Sequence, residues 1–187
     1  MKGNLAPRNV ECNLFAVAFY QEFDLRAGLA AEFASDFIGV EIINIFIVDP
    51  INNVSGEDAN LRGSTWFAEH PVVPLEQIRY LFNLDMIGDN NPVAYCEVSA
   101  EGMWGFERLE EINAGAGHFQ ALNRGELAAN SDHYPFAVRH VPCIFLENKM
   151  GDAFPYYHTV HDNWRNAVFD SYEPLFRLVT DFIEQYQ

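Results

Sequence analysis

The sequence predicts a single α/β domain, a central mostly parallel or mixed sheet flanked by helices, and three observations carry that reading. Apolar β-rich runs alternate with segments whose hydrophobic residues recur at helical spacing. Two of the runs, "IRYLFNLDMIG" and "VPCIFLE", are almost continuously hydrophobic, as strands covered on both faces are. The 187 residues are 49% hydrophobic and 14% aromatic, enough for one sizeable core, and no repeat, low-complexity linker or compositional break divides residues 1–187.

The elements follow in order. "NVECNLFAVAF" reads as a first strand, "LRAGLAAEFASDF" as a helix with Ala, Leu and Phe at helical intervals, and "VEIINIFIVD" as a second strand. "PINNVSGEDANLRGS", dense in Asn, Gly, Ser and Pro, is a loop, and "TWFAEH" a short helix closed by Pro71. "IRYLFNLDMIG" is a buried strand that stops at Gly88. "NPVAYCEVSA" is another strand, and "GFERLEEINAGAG" a helix that ends in glycines. After the interior strand "VPCIFLE", the segment "SYEPLFRLVTDFIEQY" predicts an amphipathic terminal helix over about 172–185. Leu175, Phe176, Val179, Phe182 and Ile183 lie on its apolar side.

Charge narrows the function. With 27 acidic and 11 basic residues, a net charge of −16 and no cluster of Lys or Arg, the chain repels phosphate backbones and anionic membranes. Nucleic acid and membrane surfaces are therefore excluded as expected partners, whereas a bound cation would find carboxylates and imidazoles in plenty. Cys12, Cys96 and Cys143 lack CxxC spacing and read as buried or incidental thiols. The run "LFAVAFY" is too short to span a bilayer and follows an acid rather than a basic stretch, so it reads as a strand and not as a signal peptide.

In open α/β sheets ligands gather at the carboxyl ends of strands. Acids and imidazoles stand in those positions: Glu57 and Asp58 after the second strand, Asp85 at the end of "NLD", and His158 after "CIFLE". Adjacent carboxylates in "SGED" alone describe a solvated turn, although with metal nearby Asp58 can ligate while Glu57 takes a proton from bound water. Asp85 at the end of an apolar strand must be compensated, by a metal or by capping a following turn. In "FPYYHTVHDN" the loop puts no common face on His158 and His161, and the ordinary role of each is a surface or hydrogen-bonded histidine. "SDHY", at 131–134, is a third polar cluster whose acid can orient a ligand histidine from behind.

Taken in order, "SGEDANLRGSTWFAEHPVVPLEQIRYLFNLDMIG", "SDHYPFAVRHVPCIFL" and "YYHTVHDN" resemble the catalytic core of the zinc exopeptidases that include aminopeptidase Y and the bacterial leucyl aminopeptidases. The resemblance runs from about Ser55 to the C-terminus. It implies a zinc-exopeptidase fold, peptide or aminoacyl substrates and a secreted or periplasmic setting. It further implies that Glu57 is the general base, Asp58 (usually Glu in the family) and His158 ligands of one zinc, and Asp85 a ligand of the other. Asp132, with His133 and Tyr157, would form the second shell or pocket wall, and His158 rather than His161 would be the functional imidazole.

The first third, residues 1–54, departs from that family. No histidine precedes residue 70 to supply the early ligand, and the family's bridging aspartate falls on Phe23 within "FDLRAGLAAE". Asp24 is the nearby candidate ligand. Three protein ligands and water suit one zinc, as in the related glutaminyl cyclases, so the expectation is one zinc rather than two. The reading is then an aminopeptidase-like hydrolase with an incomplete metal site. Its alternatives are a non-catalytic binding module on the same fold and a single-zinc cyclase.

Overall fold

The computed structural model describes residues 60–71, 74–87, 90–148, 156–157, 159–161, 165–166 and 170–185, together with the backbone of 14–19. The helix expected in "LRAGLAAEFASDF", the strand expected in "VEIINIFIVD" and most of the "SGED" loop lie outside these residues.

Five strands and four α-helices follow along the described chain, besides two short 3₁₀ turns: β1 (Leu14–Phe19), α1 (Arg62–Glu69), β2 (Ile78–Leu84), β3 (Val93–Val98), α2 (Met103–Ala116), β4 (Ala121–Arg124), α3 (Tyr134–Ala137), β5 (Cys143–Glu147) and α4 (Tyr172–Glu184). The strands form one sheet in the order β1-β2-β5-β3-β4. β1 with β2, β2 with β5 and β3 with β4 run parallel, while β3 and β5 run antiparallel. The expected mixed sheet is therefore present, with its one described reversal next to the centre.

β2 earns its continuous hydrophobicity by lying inside the sheet: of its seven residues only Arg79 is exposed. Tyr80, Phe82 and Leu84 join the larger core, with Leu109 and Ile112 of α2 and Leu175, Leu178, Val179, Phe182 and Ile183 of α4. A smaller core holds Leu81 and Cys143 with Phe67 and Ala68 of α1 and Phe136 and Ala137 of α3. The sheet is thus covered by helices on two sides, which is why the interior strands do not alternate in sequence. β3 does alternate, burying Ala94, Cys96 and Val98 and leaving Val93, Tyr95 and Glu97 partly open.

Helix ends follow local chemistry. α1 is capped by His70 and followed by Pro71, as its sequence suggests. α2 stops at Gly117, whose φ of 71° is the left-handed conformation that glycine adopts at least cost. On α4 the buried set is Leu175, Leu178, Val179, Phe182 and Ile183, an i, i+3, i+4, i+7, i+8 stripe. Leu178 replaces the expected Phe176, which is only partly buried because its position lies beside that stripe.

Two elements escaped the sequence reading. β4 has four residues, two of them exposed, and so carries almost no hydrophobic pattern. α3 is a single turn following "SDH"; Pro135 is admitted near its start, where no intrahelical N–H is needed. Cys96 and Cys143 are buried and unbridged, as expected of incidental thiols, and burial pushes the Cys143 thiol up to about 11.

Phe182 joins the helices to the sheet. It is fully buried, with its ring edge-on to Phe82 at 5.1 Å and near Tyr80 and Trp104 at 5.3 and 5.9 Å. Phe182→Ala is expected to lower the unfolding free energy by about 3–5 kcal/mol in urea titrations, the usual cost of an aromatic-sized void. A loss below about 1 kcal/mol would show that α4 is not clamped to the sheet in this way.

Candidate metal-centre edge

The site is built from the period of a strand. Leu81 and Asn83 point to the side opposite Tyr80, Phe82 and Leu84, and Asp85 continues that side one step beyond the end of β2. One hydroxyl bridges the two polar residues: Asn83 Nδ2 donates to Ser131 Oγ at 2.7 Å, and Ser131 Oγ donates to Asp85 Oδ2 at 2.9 Å. Asn83 and Ser131 are fully buried and Asp85 is 8% exposed. Asp85 is thus compensated at least by a partner from another segment, the Ser131 hydroxyl.

Neighbouring backbone fixes the exit. The Asp85 N–H donates to the Leu146 carbonyl at 3.3 Å, tying it to β5, and Met86 turns the chain off the sheet with a left-handed φ of 54°. One residue later, the Ile87 carbonyl accepts the Ser171 hydroxyl at 3.2 Å from the start of α4.

The segment Ser131–Asp132–His133 lies across a row of side chains. Asn83 of β2, Phe145 of β5 and Glu97 of β3 are register partners across the sheet. Ser131 meets Asn83 at one end of this row. At the other end the His133 ring stacks on Phe145, with centroids 5.1 Å apart, and brings Nε2 to 3.5 Å from Glu97 Oε2. That separation is a close electrostatic contact rather than a formed hydrogen bond, and both imidazole nitrogens lack a hydrogen-bond partner among the described residues. His133 is completely buried, so it packs behind the site and does not line an open pocket.

Glu97 is more fully engaged. It accepts from the Ala128 N–H at 2.8 Å and from Asn130 Nδ2 at 2.6 Å. Burial pushes its carboxyl up, but His133, Asn130 and Ala128 together outweigh this and hold it below the ordinary value. Asp132 shows the opposite balance: burial raises its carboxyl above the ordinary value despite the Ser64 hydroxyl and His133 nearby. Its Oδ1 is buried without a hydrogen-bond partner among the described residues.

Of the residues expected at the site, the structure brings Asp85 and the Ser131–His133 segment together. Glu57, Asp58, Asp24 and His158 lie outside the described residues. Tyr157 is 44% exposed, on a turn where Thr159 donates both its N–H and its hydroxyl to the Tyr156 carbonyl. His161 is exposed in that turn, and its carbonyl accepts from Asn166. Among the described residues no three His, Cys, Asp or Glu side chains gather as a metal set. Asp85 nevertheless fits a ligand: Ser131 orients its carboxylate through a neutral hydroxyl, and carboxylate oxygen is a donor that zinc accepts.

Three residues of this edge were not singled out from sequence. Asn83 carried a signal, as an amide within a buried strand two residues before an acid. Ser131 had only its place in "SDH", and Glu97 occupies an alternating position that ordinarily faces solvent.

The model of peptidase family M28 matches residues 51–183. The chain belongs to that family. Solved structures of similar fold include the LapA aminopeptidase of Legionella pneumophila, at 15% identity and a TM-score of 0.63 over 93% of this chain and 51% of that one. Glutaminyl cyclase from Porphyromonas gingivalis matches at 13% identity and 0.65, over 97% of this chain and 76% of its own. A zinc aminopeptidase from Bacillus subtilis matches at 16% and 0.64, over 94% and 46%. At such identities the likeness is one of fold, and this M28 chain spans about half the length of either aminopeptidase. A search of curated proteins found no match. Among the described residues of the M28 chain, no helix is long and apolar enough to cross a membrane.

The raised Asp132 carboxyl gives a signed pH prediction. A carboxyl whose folded value lies above its unfolded one favours folding when protonated, and this contribution is lost as pH rises through the folded value. In metal-free protein, Asp132→Asn should therefore raise the thermal midpoint at neutral pH, on the order of 2 °C for a chain of this size. The gain should vanish as pH falls below the unfolded carboxyl value. Midpoints measured from pH 3 to 8 check this, and a loss of stability at neutral pH would contradict it.

Proposed function

We propose that this M28 chain is a zinc-dependent hydrolase that removes N-terminal residues from peptides, working with one zinc and an incomplete version of the family's metal site. The observation that supports it is Asp85: a buried carboxylate at the carboxyl end of a central strand, oriented by Ser131 and Asn83. Asp58, Asp85 and His158 would hold the metal, with Asp24 as a further candidate. When bound, zinc supplies Lewis acidity, polarising the scissile carbonyl and lowering the pKa of water.

The chain's own residues would do the rest. Glu57 takes the proton from water and passes it to the leaving amine. Carboxylates at this edge attract the substrate's ammonium group. No histidine precedes residue 70, and the resemblance puts Phe23 at the bridging position; on that reading a second zinc has too few ligands, so turnover should be weak.

Aminoacyl anilides, assayed with and without added zinc, test this reading. Slow, zinc-dependent release of the amine is expected, falling by roughly 10²–10⁴-fold in Glu57→Gln, the usual worth of a general base. Undiminished release in that variant would contradict the assigned role. Absence of both turnover and zinc uptake would favour a binding module.

A second reading has its own support, since the fold match covers 76% of a glutaminyl cyclase, more than of either aminopeptidase. In that reaction the α-amine attacks the side-chain amide of an N-terminal glutamine and ammonia leaves. Peptides beginning with glutamine, assayed for ammonia against free amino acid, separate the two.

A further inference from the structure

Between β4 and α3 the chain runs through "NRGELAANSDH", and residues 123–130 are all exposed, with no apolar anchor. An exposed strap entering a buried segment would ordinarily transmit its motion inward. Here a backbone tie holds its start, where the Gly125 N–H donates to the Cys96 carbonyl at 2.8 Å. Its end is held by one side chain. Glu97 takes the Ala128 N–H on Oε2 and the Asn130 amide on Oε1, so both carboxylate oxygens are committed to the last turn before Ser131.

The same carboxylate lies 3.5 Å from His133, just after Ser131 and Asp132. Residues on both sides of the Ser131–Asp132 pair thus meet one group on β3. Glu97 is itself placed by the sheet, opposite Phe145, which in turn is opposite Asn83. Asn83 fixes the Ser131 hydroxyl, and Glu97 fixes the backbone that carries it.

We infer that Glu97 is a positioning residue of the metal edge, clamping residues 128–133 so that the Ser131 hydroxyl stays on Asp85. This rests on the reading of Asp85 as a zinc ligand only for its functional consequence. The clamp itself stands on the hydrogen bonds at Ala128 and Asn130. A charged acceptor suits the task because it satisfies two donors at once and forms stronger bonds than a neutral one. Glutamine at 97 would have the same shape, but its amide nitrogen would face one of the two donors.

The experiment compares the full chain with Glu97→Gln, Glu97→Ala, Asn130→Ala and, as a control, Glu126→Gln on the same exposed strap. Two quantities are read. Amide hydrogen exchange is followed at Ala128, which reports the clamp, and at Tyr134, whose N–H donates to the Ser131 carbonyl and reports the segment beyond. Zinc affinity is measured by calorimetry. In both Glu97 variants exchange should quicken at both amides by at least about ten-fold, and zinc should bind about ten-fold more weakly, the low end for loss of an outer supporting group. Asn130→Ala should shift both in the same direction by less, and Glu126→Gln should shift neither.

Protection at Tyr134 equal to the parent's in folded Glu97→Gln would overturn the inference. So would faster exchange with unchanged zinc affinity, because the clamp would then not reach Asp85. Should the parent bind no zinc, the hydrolase reading fails on its own, and exchange at Tyr134 alone decides whether Glu97 holds the segment.

Discussion

A carboxylate at the mouth of a strand buried on both faces must be answered by something other than water, and at Asp85 the Ser131 hydroxyl is part of that answer. Much of the edge is arranged around that hydrogen bond. Ser131 is supplied from a segment 46 residues further along, so the bond exists only if the sheet is assembled with β5 beside β2 and the "SDH" segment laid over both. Asn83 completes it from two residues earlier on the same strand, where the pleat returns side chains to the same side. The hydroxyl accepts from an amide and donates to a carboxylate, so it is used in both directions and its orientation is determined.

The arrangement couples stability to the site. The row Asn83, Phe145 and Glu97 is a sheet-pairing feature before it is a functional one; residues 128–133 pair with Asn83 Nδ2 and with both Glu97 oxygens, while Asn83 Oδ1 is buried without a partner among the described residues. Phe145 provides the apolar floor on which His133 stacks. Opposite this side, the aromatic cluster of Tyr80, Phe82, Trp104 and Phe182 fixes the height and angle of β2. The strand that carries Asp85 is thus held from one side by dispersion and burial and from the other by a polar network. Asp132 lies within the polar segment, where burial raises its carboxyl above the ordinary value.

How much of this could be read from sequence differs residue by residue. β2, β5 and α4 were legible because burial on both faces, or along one helical stripe, leaves an unbroken hydrophobic signature. Asp85 was legible as an anomaly, an acid where an apolar strand ends, and its family setting gave it a role. β4 was not, since four residues at a sheet edge with two exposed make no pattern, and α3 was hidden because a single turn has no period. Glu97 was illegible for a different reason. In "VAYCEV" it obeys the alternation of a half-exposed strand, and only the return of residues 128–133 in three dimensions turns a solvent-facing position into a clamp. Phe176 and Leu178 show the limit of reading a helical face by eye, because adjacent spokes of a 3.6-residue wheel differ little until the neighbouring sheet selects one.

If Ser131 holds Asp85 in place for a metal, zinc should bind that carboxylate directly. Crystals of the protein soaked in zinc, with anomalous diffraction collected on both sides of the zinc absorption edge, test it most directly. An anomalous peak is expected at about 2.0–2.2 Å from a carboxylate oxygen of Asp85, the distance of a zinc–carboxylate bond, with the Ser131 hydroxyl still bonded to that carboxylate. Zinc bound elsewhere, with Asp85 making only hydrogen bonds to the protein, would contradict it.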